Sequence, residues 1–423
     1  MMKKRDNKYV LAILAGGGPA PGINGVISAA TIEAINRGLN VIGILDGFKW
    51  IAKGDKKHSR KLTIKDTSRI HLTGGSVIGL SRENPTTSLE GMKNTLRVLD
   101  ELGVGFLITI GGEGTMFISS CVEKESQGKI KVAHVPKTID NNMPLPGYIP
   151  TFGFETARHI GTNIVQNLME DARTIGRWFL VVTMGRQTGH LAIGIGKASG
   201  ATLTIIPEEF GEEKVSLSKI VTIIEGAIIK RLSMGREDGV AILAEGLTEK
   251  LDESDLKKLK DLERDEVGRI RLSEVDLGKV LKQETRRRLS EKGISIRIVD
   301  IRIGYELRSA PPIPFDAKYA RDLGYSAVKF LLGGGTGAMI TLQTGKMVPI
   351  NFREVIDPVT GRSKIRYVDV NTESYEVAEK YMIKLKEEDF RDKKELDKLA
   401  KAAKMSTKEF TSYFSRAVKS RIN

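Results

Sequence analysis

A chain of 423 residues, 40% hydrophobic and 28% charged, is long enough for two or three compact units with their own cores, and its composition excludes a disordered or collagen-like class. The net charge of +14 is carried by basic residues interleaved with acidic ones, as over 257–264 and 384–404, which reads as solvated helix faces and leaves room for a polyanionic substrate; with only 6% aromatics for base stacking, no nucleic-acid partner is expected. A single cysteine, Cys121, rules out an internal disulfide, no Cys/His spacing suggests zinc, and no apolar run has membrane length, so a cytoplasmic location without membrane contact is expected.

In chain order, apolar β-branched runs alternate with amphipathic stretches, the pattern of a parallel sheet covered by helices. Strands are predicted at 9–15 and 40–44, with a helix between them that starts near Pro21 and stops at Arg37-Gly38. The strand, glycine turn, helix arrangement returns at 106–110. Further strands are predicted at 131–135, 179–183 and 201–206, and a helix at 156–171. The charge-rich stretch 248–292 reads as a peripheral excursion, and the region from Lys384 as surface helices with Ser406-Thr407 capping the last one. The expected fold class is therefore α/β, with two Rossmann-like parallel-sheet domains and added C-terminal helices. Domains are expected at 1–150 with about 309–370, at 151–308, and at 371–423.

Several segments sit where strands end, and that is where chemistry is placed in such folds. Gly16-Gly17-Gly18-Pro19-Ala20-Pro21-Gly22-Ile23-Asn24 lies between a strand and a helix, where glycines let the backbone approach an anion and free N–H groups favour negative charge; it is also compatible with a plain tight turn. In Gly111-Gly112-Glu113-Gly114-Thr115 a carboxylate beside a polyphosphate calls for a divalent cation, most simply Mg2+, unless Glu113 only caps the helix behind it. Pro136-Lys137-Thr138-Ile139-Asp140 follows a buried strand. Asp140 suits a base that takes an alcohol's proton during phosphoryl transfer, or else it forms a turn. Arg186 in Met184-Gly185-Arg186 and Arg308 in the 304–309 segment have the planar fork that pairs with a sugar phosphate, and Glu245 can accept hydrogen bonds from sugar hydroxyls. Taken singly, each is more often half of a surface ion pair.

Taken together and in this order, with Gly74-Gly75-Ser76 and Ser81-Arg82, these segments resemble the phosphofructokinase family from residue 9 to about 349. Pro150-Thr151-Phe152-Gly153-Phe154 and Ile206-Pro207-Glu208-Glu209-Phe210 look most like its mixed-substrate and pyrophosphate-using branch. The resemblance implies a 6-phosphofructokinase that phosphorylates the 1-hydroxyl of fructose 6-phosphate. Gly17, Arg82, Gly112, Glu113, Gly114 and Thr115 would hold the donor, with Glu113 at the Mg2+ position. Thr138, Ile139, Met184, Gly185, Arg186, Glu245, Tyr305 and Arg308 would hold the sugar phosphate, Asp140 would be the base, and Arg177 would reach a neighbouring subunit of a homodimer or homotetramer.

Donor choice is implied by two positions. Pyrophosphate-using relatives carry Asp where this chain has Gly114, and a carboxylate there would repel a nucleotide's α-phosphate by roughly 4 kcal/mol at about 4 Å and an effective dielectric constant of about 20, so its absence favours ATP. Lys137 resembles the pyrophosphate branch and can serve either polyphosphate. ATP is the expected donor; a reversible pyrophosphate-dependent phosphotransferase is the alternative. Glu113 and Asn142, where the family usually has Asp, suggest slowed turnover and keep open a weakly active regulatory paralogue that binds sugar phosphate. Ser28 and Ile32 replace the first-helix arginines of effector-controlled bacterial relatives, so ADP or phosphoenolpyruvate control is not expected.

Overall fold

The computed structural model describes residues 10–256, 276–357 and 362–418. Its strands, in chain order, are β1 (Val10–Ala15), β2 (Asn40–Ile44), β3 (Ser59–Lys61), β4 (Val104–Gly111), β5 (Lys131–Pro136), β6 (Trp178–Thr183), β7 (Leu203–Ile205), β8 (Gly239–Ala244), β9 (Ile298–Ile303), β10 (Ala338–Gln343) and β11 (Lys346–Asn351). The chain divides into two compact units, Met1–Ala157 with Tyr305–Arg366, and Arg158–Gly304 with Tyr367–Asn423.

The first unit is built on a seven-stranded sheet in the order β11-β10-β5-β4-β1-β2-β3. Its inner strands are parallel, and antiparallel β3 and β11 close the two edges. Alternation along each strand sorts side chains to two faces. Leu11, Ile13 and Ala15 of β1 join one core with the helices Ile23–Asn36 and Pro314–Leu332, whereas Ala12 and Leu14 join another with Leu89–Glu101 and Glu113–Glu125. From β1 the chain crosses to β2 on one side, and from β4 it crosses to β5 on the other. The reversal point therefore lies between neighbouring β1 and β4, whose C-terminal ends carry the two glycine turns.

The second unit has an all-parallel sheet in the order β7-β8-β6-β9. Thr183 at the end of β6 sits in register with Ala244 of β8 and Ile303 of β9, so three strand ends present their following loops side by side. The expected strands at 40–44, 106–110, 131–135 and 179–183 fall within observed strands; 201–206 shrinks to three residues, and residue 9 lies outside the described set.

Two surface readings need correction. The helices Lys393–Ala402 and Thr407–Val418 bury Leu399, Phe410 and Phe414 completely against Leu217–Ser233, so the terminal region completes the second unit's core. Their charge density hid a narrow apolar stripe at helical spacing. Ser406 does cap the last helix, accepting from the Glu409 amide while Glu409 accepts from the Ser406 amide. Likewise Leu277–Glu291 buries Leu277, Leu281 and Leu289 in that core, although 257–275 of the charge-rich stretch lie outside the described residues.

Asp316 fastens the first unit's loop at 151–156. It is fully buried, and its carboxylate accepts from the amides of Gly153 (2.8 Å) and Thr156 (2.7 Å) and from Thr156 Oγ1 (2.6 Å). Burial raises its pKa, while these donors pull the other way. Asp316→Ala leaves three buried donors without their acceptor and is expected to lower stability by about 3 kcal/mol, read as a lower urea midpoint. An unchanged midpoint would show that the carboxylate is not what holds this loop.

Candidate active site

In the first unit the loop after β1 and the loop after β4 meet at close range. The Gly16 amide donates to Ile110 O (2.9 Å) and the Gly17 amide to Ser81 O (2.8 Å), which ties the loop to the residue before Arg82. A β-carbon on Gly16 would stand 2.5 Å from Thr115 Oγ1, and one on Gly111 would stand 2.3 Å from Thr115 Cβ, so both turns need glycine for Thr115 to fit. Asn24 anchors the third glycine segment, donating to Thr73 Oγ1 (2.9 Å) and Gly74 O (3.1 Å) and accepting from the Val77 amide (2.9 Å).

Lys137 joins these pieces. Its amide donates to Gly111 O (2.8 Å) and its ammonium to Gly18 O (2.5 Å), and only 4% of its surface is exposed. Burial pushes its pKa down to about 8; Asp140 opposes the shift, and Arg308 and Arg82 add to it. The Arg308 guanidinium lies over the Tyr305 ring at 4.6 Å, and its Nη1 would be 3.2 Å from a β-carbon on Gly18. Lys137 and Arg308 both reach the glycine loop at Gly18, and Arg82 follows the Ser81 to which Gly17 is bonded, an arrangement suited to a polyanion.

Glu113 is the first residue of the helix Glu113–Glu125 behind Gly112, so helix-start and metal-ligand roles share one position. A β-carbon on Gly114 would meet nothing within 4 Å. Asp140 follows Thr138, whose Oγ1 accepts the Asp140 amide (3.0 Å), and it precedes Asn141 in a left-handed conformation (φ 56°); Ile139 is buried. Arg366, which the sequence reading passed over, donates from Nε and Nη2 to Asn141 O (3.1 and 2.9 Å) and from Nη1 to Ile149 O (2.8 Å).

A second missed residue, His134, holds the turn at Gly111 from below. Buried on β5, it places Nε2 3.0 Å from Gly111 O and Nδ1 2.9 Å from Thr109 Oγ1, while Ser119 Oγ donates to Thr115 O (2.6 Å). The carbonyl opposite Nε2 requires a proton on that nitrogen. Burial pushes its pKa down to about 3.

In the second unit Met184, Gly185 and Arg186 follow β6, and Glu245 follows β8. Gly185 has φ 141°, a conformation that favours glycine, and its amide donates to Glu245 Oε1 (3.1 Å). Glu245 is 5% exposed, and its Oε2 accepts from Arg302 Nη2 on β9 at 3.3 Å. Arg302 was missed as well; a charged residue in the apolar run before Gly304 was the available signal. Arg186 is exposed, and Arg177 faces Asp171 at 3.3 Å.

The family profile described as Phosphofructokinase matches residues 10–331. The chain belongs to the phosphofructokinase family. Among phosphofructokinase relatives, it is 53% identical over 405 residues to the pyrophosphate–fructose 6-phosphate 1-phosphotransferase of Thermotoga maritima, covering 95% of this chain and 96% of that one. It is 48% identical to the protein of the same name from Naegleria fowleri, covering 96% and 95%. The solved pyrophosphate-dependent phosphofructokinase of Marinobacter aquaeolei superposes with a TM-score of 0.66 over 97% of this chain and 91% of that one; at 15% identity this likeness speaks for the phosphofructokinase fold. Among the described residues no helix is long and apolar enough to cross a membrane.

The buried imidazole of His134 has a consequence for stability. Unfolded, it takes a proton below about 6.5; folded, it resists until about 3, so the unfolded state binds more protons between these values and stability falls as pH drops through that window. His134→Gln is expected to flatten the fall by up to about 1.4 kcal/mol per pH unit, measured as urea midpoints at pH 7 and pH 5. Identical slopes in both proteins would remove His134 from this account.

Proposed function

We propose that this phosphofructokinase-family chain moves a phosphoryl group between pyrophosphate and the 1-hydroxyl of fructose 6-phosphate, reversibly. The observation that carries the reading is the buried Lys137 ammonium at Gly18 O, beside Arg82 and Arg308: a charge costly to bury is kept where a compact polyanion would offset it. The names of the relatives at 53% and 48% identity support pyrophosphate, and the ATP preference inferred from Gly114 gives way to the reading first ranked second.

In this reading the first unit serves the donor. Gly17, Gly112, Gly114 and Thr115 supply backbone and hydroxyl donors, and Arg82 and Lys137 supply charge. In the second unit Met184, Gly185, Arg186 and Glu245 are assigned to the sugar phosphate; the family resemblance gives Thr138, Ile139, Tyr305 and Arg308 of the first unit the same assignment, and Arg177 serves a neighbouring copy in a homo-oligomer. Asp140 accepts the proton of the 1-hydroxyl as its oxygen bonds to phosphorus, the bridging P–O bond breaks, and phosphate departs against Lys137. Glu113, at the start of its helix, is the carboxylate that would hold Mg2+, with phosphate oxygens and water completing its shell. When bound, the ion neutralises charge on the transferring group.

ATP as donor is a second reading, favoured by the space beside Gly114. Turnover of fructose 6-phosphate with pyrophosphate and with ATP side by side, each with Mg2+, separates the two. The expected outcome is efficient use of pyrophosphate and at most weak use of ATP; the reverse ranking overturns the donor assignment, and binding without turnover supports the regulatory paralogue.

The low pKa of Lys137 gives that assay a pH signature. The charged form is needed and is lost as pH rises through about 8 in the free enzyme, so kcat/KM for pyrophosphate is expected to fall about tenfold per unit above that value. Lys137→Met should be slow throughout and lack this limb. A variant that keeps the limb would assign it to another group.

A further inference from the structure

Arg366 lies beyond the family-matched residues 10–331, yet it is bonded to the loop that carries Asp140. Its guanidinium donates to three carbonyls, those of Asn141 (2.9 and 3.1 Å), Ile149 (2.8 Å) and Leu145 (3.3 Å), and to Asn141 Oδ1 (2.5 Å). Its own amide donates to Asn142 O (2.9 Å). Asn141 Oδ1 in turn accepts from the Thr151 amide (3.0 Å), and Thr151 Oγ1 donates to Thr138 O (2.8 Å), closing a ring of bonds around 138–151. At its centre Asn141 is held at φ 56°, a conformation that costs energy outside glycine and persists where surrounding contacts fix it.

We propose that Arg366 is a positioning residue for phosphoryl transfer: by clamping the left-handed Asn141 and the carbonyls at 145 and 149, it fixes the backbone from which the Asp140 carboxylate is presented. The role rests on the function proposed above, with Asp140 as base. It needs arginine in particular, because one planar fork must meet carbonyls of three residues at once, whereas a lysine ammonium has three donors at a single point. The clamp touches neither glycine turn. The bonds that Gly17 makes to Ser81 and that Lys137 makes to Gly111 and Gly18 involve none of the carbonyls Arg366 holds, so loss of the clamp should disturb the proton acceptor and leave donor binding in place.

The test uses the full-length protein with pyrophosphate, fructose 6-phosphate and Mg2+. Arg366→Ala is expected to lower kcat by about 10²-fold, the scale associated with a 1 Å misplacement of a reacting group, with KM for pyrophosphate changed less than about twofold. Arg366→Lys should fall between, and guanidinium ion at about 50 mM, well below denaturing concentrations, should restore part of the kcat of Arg366→Ala without stimulating wild type. A kcat within about twofold of wild type in both variants, or a loss confined to KM for pyrophosphate, overturns the proposal. Should Arg366→Ala fail to fold, Arg366→Lys decides: wild-type kcat there overturns the clamp, and lowered kcat at unchanged KM for pyrophosphate supports it.

Absence of turnover in the wild type with either donor defeats the proposed function separately. Amide hydrogen exchange then decides the clamp: at least about tenfold faster exchange over 138–151 in the variant, with β4 and β5 unchanged, supports it, and equal or uniformly faster exchange overturns it.

Discussion

The bond between the Lys137 ammonium and the Gly18 carbonyl is the constraint on which the first unit's strand ends depend. An ammonium buried to 4% exposure loses most of its hydration, and the pKa near 8 records how much of that loss the protein leaves uncompensated. The carbonyl is a single partial charge. Asp140 helps, but Arg308 and Arg82 work against the proton. A fold that sought only stability would place an apolar side chain at this position; keeping the charge makes sense where an anion arrives to balance it.

The glycines around Lys137 follow from the same constraint. β1 and β4 are neighbours, with Ala15 in register with Ile110, and their following turns diverge to opposite sides of the sheet. That divergence leaves the space that Thr115 takes up beside Gly16 and Gly111 and the Lys137 ammonium takes up beside Gly17. Thr115 fills the gap so closely that Gly16 and Gly111 admit no β-carbon. Beneath it, His134 and Ser119 bond the carbonyls of Gly111 and Thr115, so the turn is fixed from its buried side while its outer side stays open at Gly114.

How much of this was legible in the sequence depended on whether the signal was local. Strands 40–44 and 131–135, the helix after Pro21, the glycine turns and Lys137-Thr138-Ile139-Asp140 announce themselves within a few residues through periodicity and turn chemistry, and family resemblance added the order. The residues that were missed act across long stretches of chain. Arg366 meets Asn141 from 225 residues away and Asp316 meets Gly153 from 163, and neither stands in a recognisable motif. His134 looked like an ordinary strand residue because its partners, Thr109 and Gly111, belong to the preceding strand. The terminal helices misled for a different reason: the dense Lys, Glu and Asp run over 384–404 hides the few apolar residues that Leu217–Ser233 covers.

These distant bonds have a physical consequence for the site. Short polar loops at strand ends are where backbone groups most readily open to water, since few apolar contacts hold them. In the first unit the loop at 137–152 is instead bonded at both ends by groups from remote segments: Arg366 from the segment after β11 and, through Gly153, Asp316 from the helix Pro314–Leu332. Opening the loop therefore requires breaking charge-assisted bonds to Arg366 and to Asp316, the latter on a helix packed into the core, and its order depends on segments far away in the chain. Asp140 inherits that order. A carboxylate on such a loop keeps one position without lining a rigid helix or strand, and its neighbours Thr138 and Asn141 are left to form hydrogen bonds that serve its geometry.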